Sequence, residues 1–436
     1  MKRCTLLLLL ALLAGCANDK DPVKPNPDPE PPPEPAYTFI YGDTLNATAQ
    51  SPQVDIPWPS LANSPWPMAI VNQQGITRSP WPLLPEGHIH WYEPKVSPQP
   101  DSLYGALRYG LAVGPDGTIY AAARNLNMTA ISTDGTTKWQ LGAPYNPLTG
   151  PVVGTDSTIY YGTMRGFVAV KPSGEIKWVF KPELGFMEQR PFMGIDGTLY
   201  ARLSRSPGRL YAITRDGMER WQTTVGYPSL NIITASPDGA TLYVKGEGQT
   251  LLALDASTGA EIWRFFTGLN YLHHVSVDNA GNLYLCRSQT GTDRDIVSLS
   301  PGGQLRWTFA TGEEFINGPN IVSSNGVSIA YNGYLYYGLL NRGTIALDYE
   351  GNWRWTFHPH ETTEQPPTLC GPQGELLAIT AFRSLFYKIS ESGHILNYIS
   401  LSQNPRFSYY SYIFPSAVGQ SGHLLLPVQN TVVNMN

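Results

Sequence analysis

Charge is scarce in this chain. Only 14% of its 436 residues are charged, against about 25% in an ordinary soluble domain. The 29 basic and 34 acidic residues leave a net charge of −5, which excludes an electrostatic nucleic-acid binder, because such proteins displace counterions with a dense basic surface. Lys and Glu are thin while Tyr numbers 25 and Trp 11, a balance that argues against a helical bundle and for strands. Four cysteines are present, none adjacent to another. No dinucleotide fingerprint or P-loop occurs, and no G-x-S-x-G elbow has a strand–turn–helix context. Gly and Pro together make up about 18% of the chain, turn-rich but below the ~25–30% that marks disorder. Length by itself suggests two or three domains, unless the chain is built of repeats.

The start of the chain reads as an address. Lys2 and Arg3 precede an apolar run over residues 6–13, too short to span a bilayer, and the run ends in Leu13-Ala14-Gly15-Cys16. That ending resembles the bacterial lipobox, which implies that residues 1–15 are a signal peptide and that Cys16 is lipidated and holds the protein to a membrane. Ala17, rather than Asp, follows the cysteine, so the expected location is the bacterial outer membrane. The periplasmic and surface sides both stay open, with Asp19 and Asp21 resembling surface-export signals. Residues 17–36 hold eight prolines interleaved with acidic residues. Residues 16–36 are therefore read as the lipidated Cys and a semi-rigid linker, of which residues 22–35 would reach roughly 40 Å. Residues 37–86 read as an extended lead-in.

From residue 87 to 436 one pattern recurs, a Gly followed four positions later by a Trp that opens an apolar strand. The pairs are Gly87 with Trp91, Gly135 with Trp139, Gly174 with Trp178, Gly217 with Trp221, Gly259 with Trp263, Gly303 with Trp307 and Gly351 with Trp355. An eighth, Gly393 with Asn397, keeps the frame without the indole. The period is about 43 residues, the mark of stacked supersecondary units. Each period reads as four short strands: a small apolar one, one centred on Tyr (Gly197-Thr198-Leu199-Tyr200), an alternating one (residues 251–255), and the Trp strand. Four such strands cannot bury a core alone, so blades must pack on one another around an axis. The last 21 residues add three strands and stop, while residues 87–91 form a strand with no partners before it. Pairing the two ends completes a blade and removes two open edges. The expected fold is all-β, an eight-bladed β-propeller of four-stranded antiparallel blades whose N- and C-terminal strands share a blade. Seven blades is the alternative should the Asn397 unit be degenerate.

Residues 253–263, Ala-Leu-Asp-Ala-Ser-Thr-Gly-Ala-Glu-Ile-Trp, resemble the repeat of the pyrroloquinoline-quinone-like propeller family. Pro65-Trp66-Pro67-Met68, Gln73-Gln74-Gly75 and Arg78-Ser79-Pro80 are similar to the segment that leads into the first blade of quinoprotein propellers. The resemblance implies that the seven tryptophans, Trp91 to Trp355, pack between blades as structural staples. In repeat, anchor and blade count the chain is also similar in plan to the propeller lipoproteins of the outer-membrane barrel-assembly machinery.

Quinoprotein dehydrogenases hold pyrroloquinoline quinone on the axis beneath a disulfide of adjacent cysteines and bind Ca²⁺ beside it. Here Cys286 and Cys370 fall two blades apart, too far for the 4.4–6.8 Å between Cα atoms that a disulfide needs. The chain also lacks the long insertions of those enzymes. Neither a cofactor nor catalysis is therefore expected, and the quinone with calcium belongs to the alternative reading alone. His88 with His90, His358 with His360, and His273 with His274 are close in sequence but have no third ligand, so no metal centre is expected. Asp-Gly pairs such as Asp116-Gly117 lack a Ca²⁺-loop ligand run and read as hairpin turns.

The connections from one blade to the next all emerge on one face, and they concentrate aromatic and polar residues. The candidate binding face comprises Tyr104, Arg108, Tyr145, Phe186, Glu188, Arg190, Tyr227, Tyr271, His273, His274, Phe315, His358, His360, Arg406, Tyr409 and Tyr410. Such side chains bury area with few rotors and keep a polar tip, which suits interfaces. A non-catalytic, lipid-anchored scaffold for other envelope proteins is the function expected. A binder of glycans or other envelope polymers and a quinoprotein dehydrogenase are the alternatives.

Overall fold

Strands in these repeats are two to seven residues long, and a computed structural model shows how they are assembled. The structure describes residues 37–42, 48–68, 72–80, 83, 89–92, 110–123, 127–182, 190–203, 208–226, 233–268, 275–287, 295–310, 327–339, 343–359, 369–380, 385–400, 417–418, 424–428 and 431–435. Among these residues every regular element is a strand, and the strands form eight antiparallel sheets. We number the blades along the chain from the sheet that starts at Leu111.

Blade 4 illustrates the unit: Thr234–Ala235, Thr241–Lys245, Thr250–Asp255 and Glu261–Phe266 pair in sequence order. Its inner three strands are almost wholly buried, whereas the outer strand alternates between exposed and half-buried positions. The difference follows from packing. Inner strands lie between two neighbouring blades and need apolar side chains on both faces, while the outer strand meets water. A bulge recurs opposite the Trp of the outer strand, as between Ala253 and Leu254, and it increases local twist.

The ring closes as the repeat predicts. Ala417–Val418, Leu424–Val428 and Thr431–Met435 are the first three strands of blade 8, and Ile89–Tyr92 is its outer strand, with Trp91 opposite Val433. Blade 6 carries an addition that the repeat does not announce. Tyr37–Tyr41 pairs along its outer strand, Trp353–Pro359, as a fifth strand.

The glycine and the indole of one marker turn out to serve different neighbours. Trp263 of blade 4 lies on Gly303 in the outer turn of blade 5, and its Nε1 donates to the Pro301 carbonyl at 3.0 Å. Trp139, Trp178, Trp221 and Trp355 repeat the arrangement on Gly174, Gly217, Gly259 and Gly393. Trp307 packs on Gly351 in the same way, although its Nε1 has no acceptor. Glycine is required twice over in these turns. Gly303 has φ +81°, and a Cβ there would stand 2.8 Å from the Trp263 ring.

On the opposite strand pair, Asp116, Asp156 and Asp196 each accept from a Thr two residues on and from a cation of the outer strand, Lys138, Lys177 and Arg220 respectively. Burial works to raise these carboxyls, but the hydrogen bonds from the cations and threonines outweigh it and hold Asp116 down at about 2, with Asp156 and Asp196 lowered for the same reasons.

Two outcomes are expected. Gly303→Ala should cost about 2–4 kcal/mol through its φ and its clash with Trp263. Added to Trp263→Ala it should cost only about 1–2 kcal/mol, because the backbone strain alone remains, and urea unfolding of the four-member cycle measures the coupling. Because the three carboxyls titrate below their unfolded values, the stability they contribute is full above pH ~4 and declines as pH falls toward 2. Replacing all three by Asn should flatten the acid limb of a urea-midpoint profile over that window.

Candidate functional site

Each inner strand uses one edge within its blade and turns the other toward the axis, where backbone N–H and C=O groups need partners. The lead-in supplies them. Val113, Val153, Ala235, Val277 and Cys370, from blades 1, 2, 4, 5 and 7, donate backbone N–H to the carbonyls of Trp66, Pro67, Gln73, Gln74 and Thr77 at 2.7–3.0 Å. In blade 6 the hydroxyls of Ser328 and Thr77 meet at 2.6 Å. In blade 3 the Met193 and Gly194 carbonyls accept from Trp58 Nε1 and Ser60 Oγ at 2.8 and 2.7 Å. Residues 58–68 and 72–79 thus cap and plug the hub and touch seven of the eight blades.

The path has two tiers. Residues 51–64 first cross the face of short turns, passing blade 6 (Gln53 N to Tyr331 O), blade 5 (Val54 N to Asn279 Oδ1), blade 3, blade 2 (Thr155 N to Ser60 O) and blade 1 (Ser64 Oγ to Val113 O). Residues 66–68 and 72–79 then lie in the channel and meet the blades again in chain order. Gly75 makes the tightest approach. Its φ is +71°, and a Cβ would fall 2.3 Å from the Val275 carbonyl oxygen. Arg78 clamps the tiers together. Its buried guanidinium lies 3.0 Å from Asp55 Oδ1, donates to Val54 O at 2.9 Å, and stacks over the Tyr331 ring, whose hydroxyl donates to Asp55 Oδ2 at 2.6 Å.

These residues do not fit a quinone on the axis, because polypeptide fills the place where it would lie. The two described cysteines, Cys370 buried and Cys286 half-buried, are not joined in a disulfide, and burial pushes the Cys370 thiol up to about 12. Among the described residues no three His, Cys, Asp or Glu side chains gather as metal ligands.

Of the predicted binding face, Tyr104, Arg108, Phe186, Glu188, Tyr227, Tyr271, His273, His274, Phe315, His360, Arg406, Tyr409 and Tyr410 lie outside the described residues. So do Cys16 and residues 1–36 as a whole. The three that are described stand on separate blades. Tyr145, half-buried, packs against the core of blades 1 and 2. Arg190 precedes the inner strand of blade 3 and borders a void of about 10 Å³ with Met68 of the plug, and burial lowers its guanidinium to about 9. His358 sits on the outer strand of blade 6 opposite Thr38 of the added strand.

Two cations that sequence reasoning passed over lie at the long-connection ends of the second strands of blades 3 and 4. Arg202 donates to the Val225 and Gly226 carbonyls at 3.3 and 3.1 Å, and Lys245 to Gly246 O at 3.0 Å. Burial lowers Arg202 to about 10, and burial with the nearby Arg202 charge lowers Lys245. Their alternating strand positions read as core in sequence, which hides them.

The sequence profile of the family described as outer membrane protein assembly factor BamB matches residues 85–231 and 206–365. Among solved structures, BamB from Moraxella catarrhalis superposes with a TM-score of 0.56 at 15% identity, covering 75% of this chain and 94% of that one. A streptogramin B lyase structure reaches a TM-score of 0.48 at 12% identity, covering 80% of this chain and 97% of that one. No curated protein sequence matches the chain. The BamB likeness rests on the shared propeller.

A filled hub makes a definite statement about redox chemistry. Incubation with pyrroloquinoline quinone and Ca²⁺, followed by gel filtration, should leave no quinone absorbance on the protein and no dye reduction with alcohols or sugars. Stoichiometric absorbance would mean that residues 66–68 and 72–79 leave the channel.

Proposed function

This chain belongs to the family described as outer membrane protein assembly factor BamB, and from that membership we propose that it is a lipid-anchored, non-catalytic scaffold that binds other envelope proteins during outer-membrane assembly. The observation that carries the proposal is the occupied axis. Blades 1–7 spend their inward hydrogen bonds or hydroxyls on the chain's own residues 58–79, so the surfaces left for a partner are the rim and the face of long connections.

That face suits a protein partner. Its connections are rich in Tyr, Arg and Asn, and Arg202 and Lys245 place two like charges beneath it. Fixed positive charge in a dry setting attracts acidic or carbonyl-rich segments and steers their approach. In this proposal Cys16 is lipidated and the Pro-rich linker precedes Tyr37, the first residue of the strand added to blade 6. The outer membrane is the proposed location.

Affinity capture from cross-linked membranes is expected to recover outer-membrane assembly proteins. Cys16→Ser should abolish palmitate labelling and reduce the captured set. Arg202→Met with Lys245→Met should weaken capture while leaving the anchor intact. Capture of no envelope protein, with a glycan-array signal lost in Tyr409→Ala, would replace the scaffold by a sugar binder.

A further inference from the structure

The strand added to blade 6 changes the character of that blade's edge. The outer strands of blades 1 to 6 each carry Lys, Arg or Glu, among them Lys138, Lys177, Arg306 and Arg354, and charge is a common means of keeping an open edge from pairing. Tyr37–Tyr41, Tyr-Thr-Phe-Ile-Tyr, covers the strand of Arg354 and has neither charge nor proline. Tyr37, Ile40 and Tyr41 are 41%, 46% and 47% exposed, three of the ten large apolar side chains that stand exposed among the described residues. One five-residue edge strand thus concentrates what edges ordinarily avoid.

The register assigns its backbone groups. Tyr41 lies opposite Trp355, and one step on Gly42 N donates to Arg354 O at 2.7 Å. Bonded pairs alternate along an antiparallel ladder, so Thr38, Ile40 and Gly42 turn their backbone groups to blade 6. Tyr37, Phe39 and Tyr41 turn theirs to the open side, where no described strand pairs with them. A second copy of the same strand satisfies all of these groups. Two antiparallel copies centred on Phe39 set Phe39 opposite Phe39 and Tyr37 opposite Tyr41, each a bonded pair that exchanges both N–H and C=O. The aromatic pattern reads alike in both directions, so the two-fold axis places rings against rings on one face and Thr38 against Ile40 on the other. The chain's net charge of −5 works against self-association, whereas a charge-free strand adds no repulsion at the contact. The linker at residues 17–36 is not a suitable occupant, because its eight prolines lack the N–H a ladder needs. We propose that the open edge of Tyr37–Tyr41 is a homodimer interface, at which two copies join blade 6 to blade 6 as one continuous antiparallel sheet. The interface rests on the strand's own geometry and is independent of the scaffold function.

Cysteine pairing tests the register. A full chain carrying Thr38→Cys and a differently tagged one carrying Ile40→Cys are expressed together. Across the axis the two thiols belong to a non-bonded pair with Cα atoms about 4.5 Å apart, inside the range of about 4.4–6.8 Å that a disulfide needs. Membranes oxidised with copper phenanthroline and run on a non-reducing gel should give a band of twice the chain's mass that bears both tags and disappears on reduction. Either variant alone sets its thiol opposite Ile40 or Thr38 and, like the unsubstituted chain, should give no such band. Ile40→Lys restores an edge charge at an exposed position, and sedimentation of the detergent-solubilised full chain should show association at least about tenfold weaker than in the parent. An equal band from either cysteine variant alone, a mixed pair that does not link, linkage to a different protein, or parent and Ile40→Lys chains that sediment alike would each overturn the proposal.

Discussion

An indole lying on a glycine of the next blade is the contact on which this structure depends. A four-stranded blade buries too little of its own surface to persist, and its stability comes from the blade beside it. The Trp–Gly lock makes that dependence specific. The turn glycine adopts a φ near +80° and leaves open the space that the neighbouring ring fills, while the indole N–H reaches the carbonyl two residues before that glycine. Blades 2 to 6 therefore each present a socket on one side and a ring on the other. Such a one-directional link can only end in a free socket or in closure of the ring.

Closure falls beside the one marker that lost its tryptophan. Asn397 stands on the outer strand of blade 7, and the ring it would replace would have to lie on the outer turn of blade 8. Blade 8 has no such turn, because its third strand, Thr431–Met435, belongs to one end of the chain and its outer strand, Ile89–Tyr92, to the other. Asn397 is exposed, and Gly87, the glycine of the blade 8 marker, lies outside the described residues. Gly393 remains because its partner is Trp355, one blade back.

The same logic separates what was legible in the sequence from what was not. Positions where only one residue type satisfies the geometry recur visibly, so the repeat, the blade count and the closing strands were all readable from glycines, tryptophans and tyrosines. The plug binds chiefly through backbone carbonyls, such as those of Trp66, Pro67, Gln73 and Thr77, and any residue carries a carbonyl. Its identity-bearing points are few and unrepeated: Gly75 for its approach to Val275, Arg78 for its ion pair with Asp55, and Trp58 for its hydrogen bond to Met193. The added strand at Tyr37–Tyr41 was equally quiet, since pairing along an open edge asks only for extended backbone. Arg202 and Lys245 were hidden because they occupy the inward phase of alternating strands, where a polar residue reads as an interruption of the core rather than as a feature of the face above it.

Hub and rim consequently answer to different demands. In an open propeller the inner edges are a standing source of unpaired hydrogen-bonding groups, and an axial ligand or water must meet them. Here the chain meets them itself, running once across the short-turn face and once through the channel, with Arg78 joining the two passes to Asp55. The plug cannot pair any inner strand until the ring has brought that strand to the axis, so it is fixed by closure and in turn ties together blades that do not touch one another. That arrangement withdraws the hub from large ligands and gives the long connections a rigid base. Those connections need not hold the ring together, and their residues are free to be chosen for what they contact outside it.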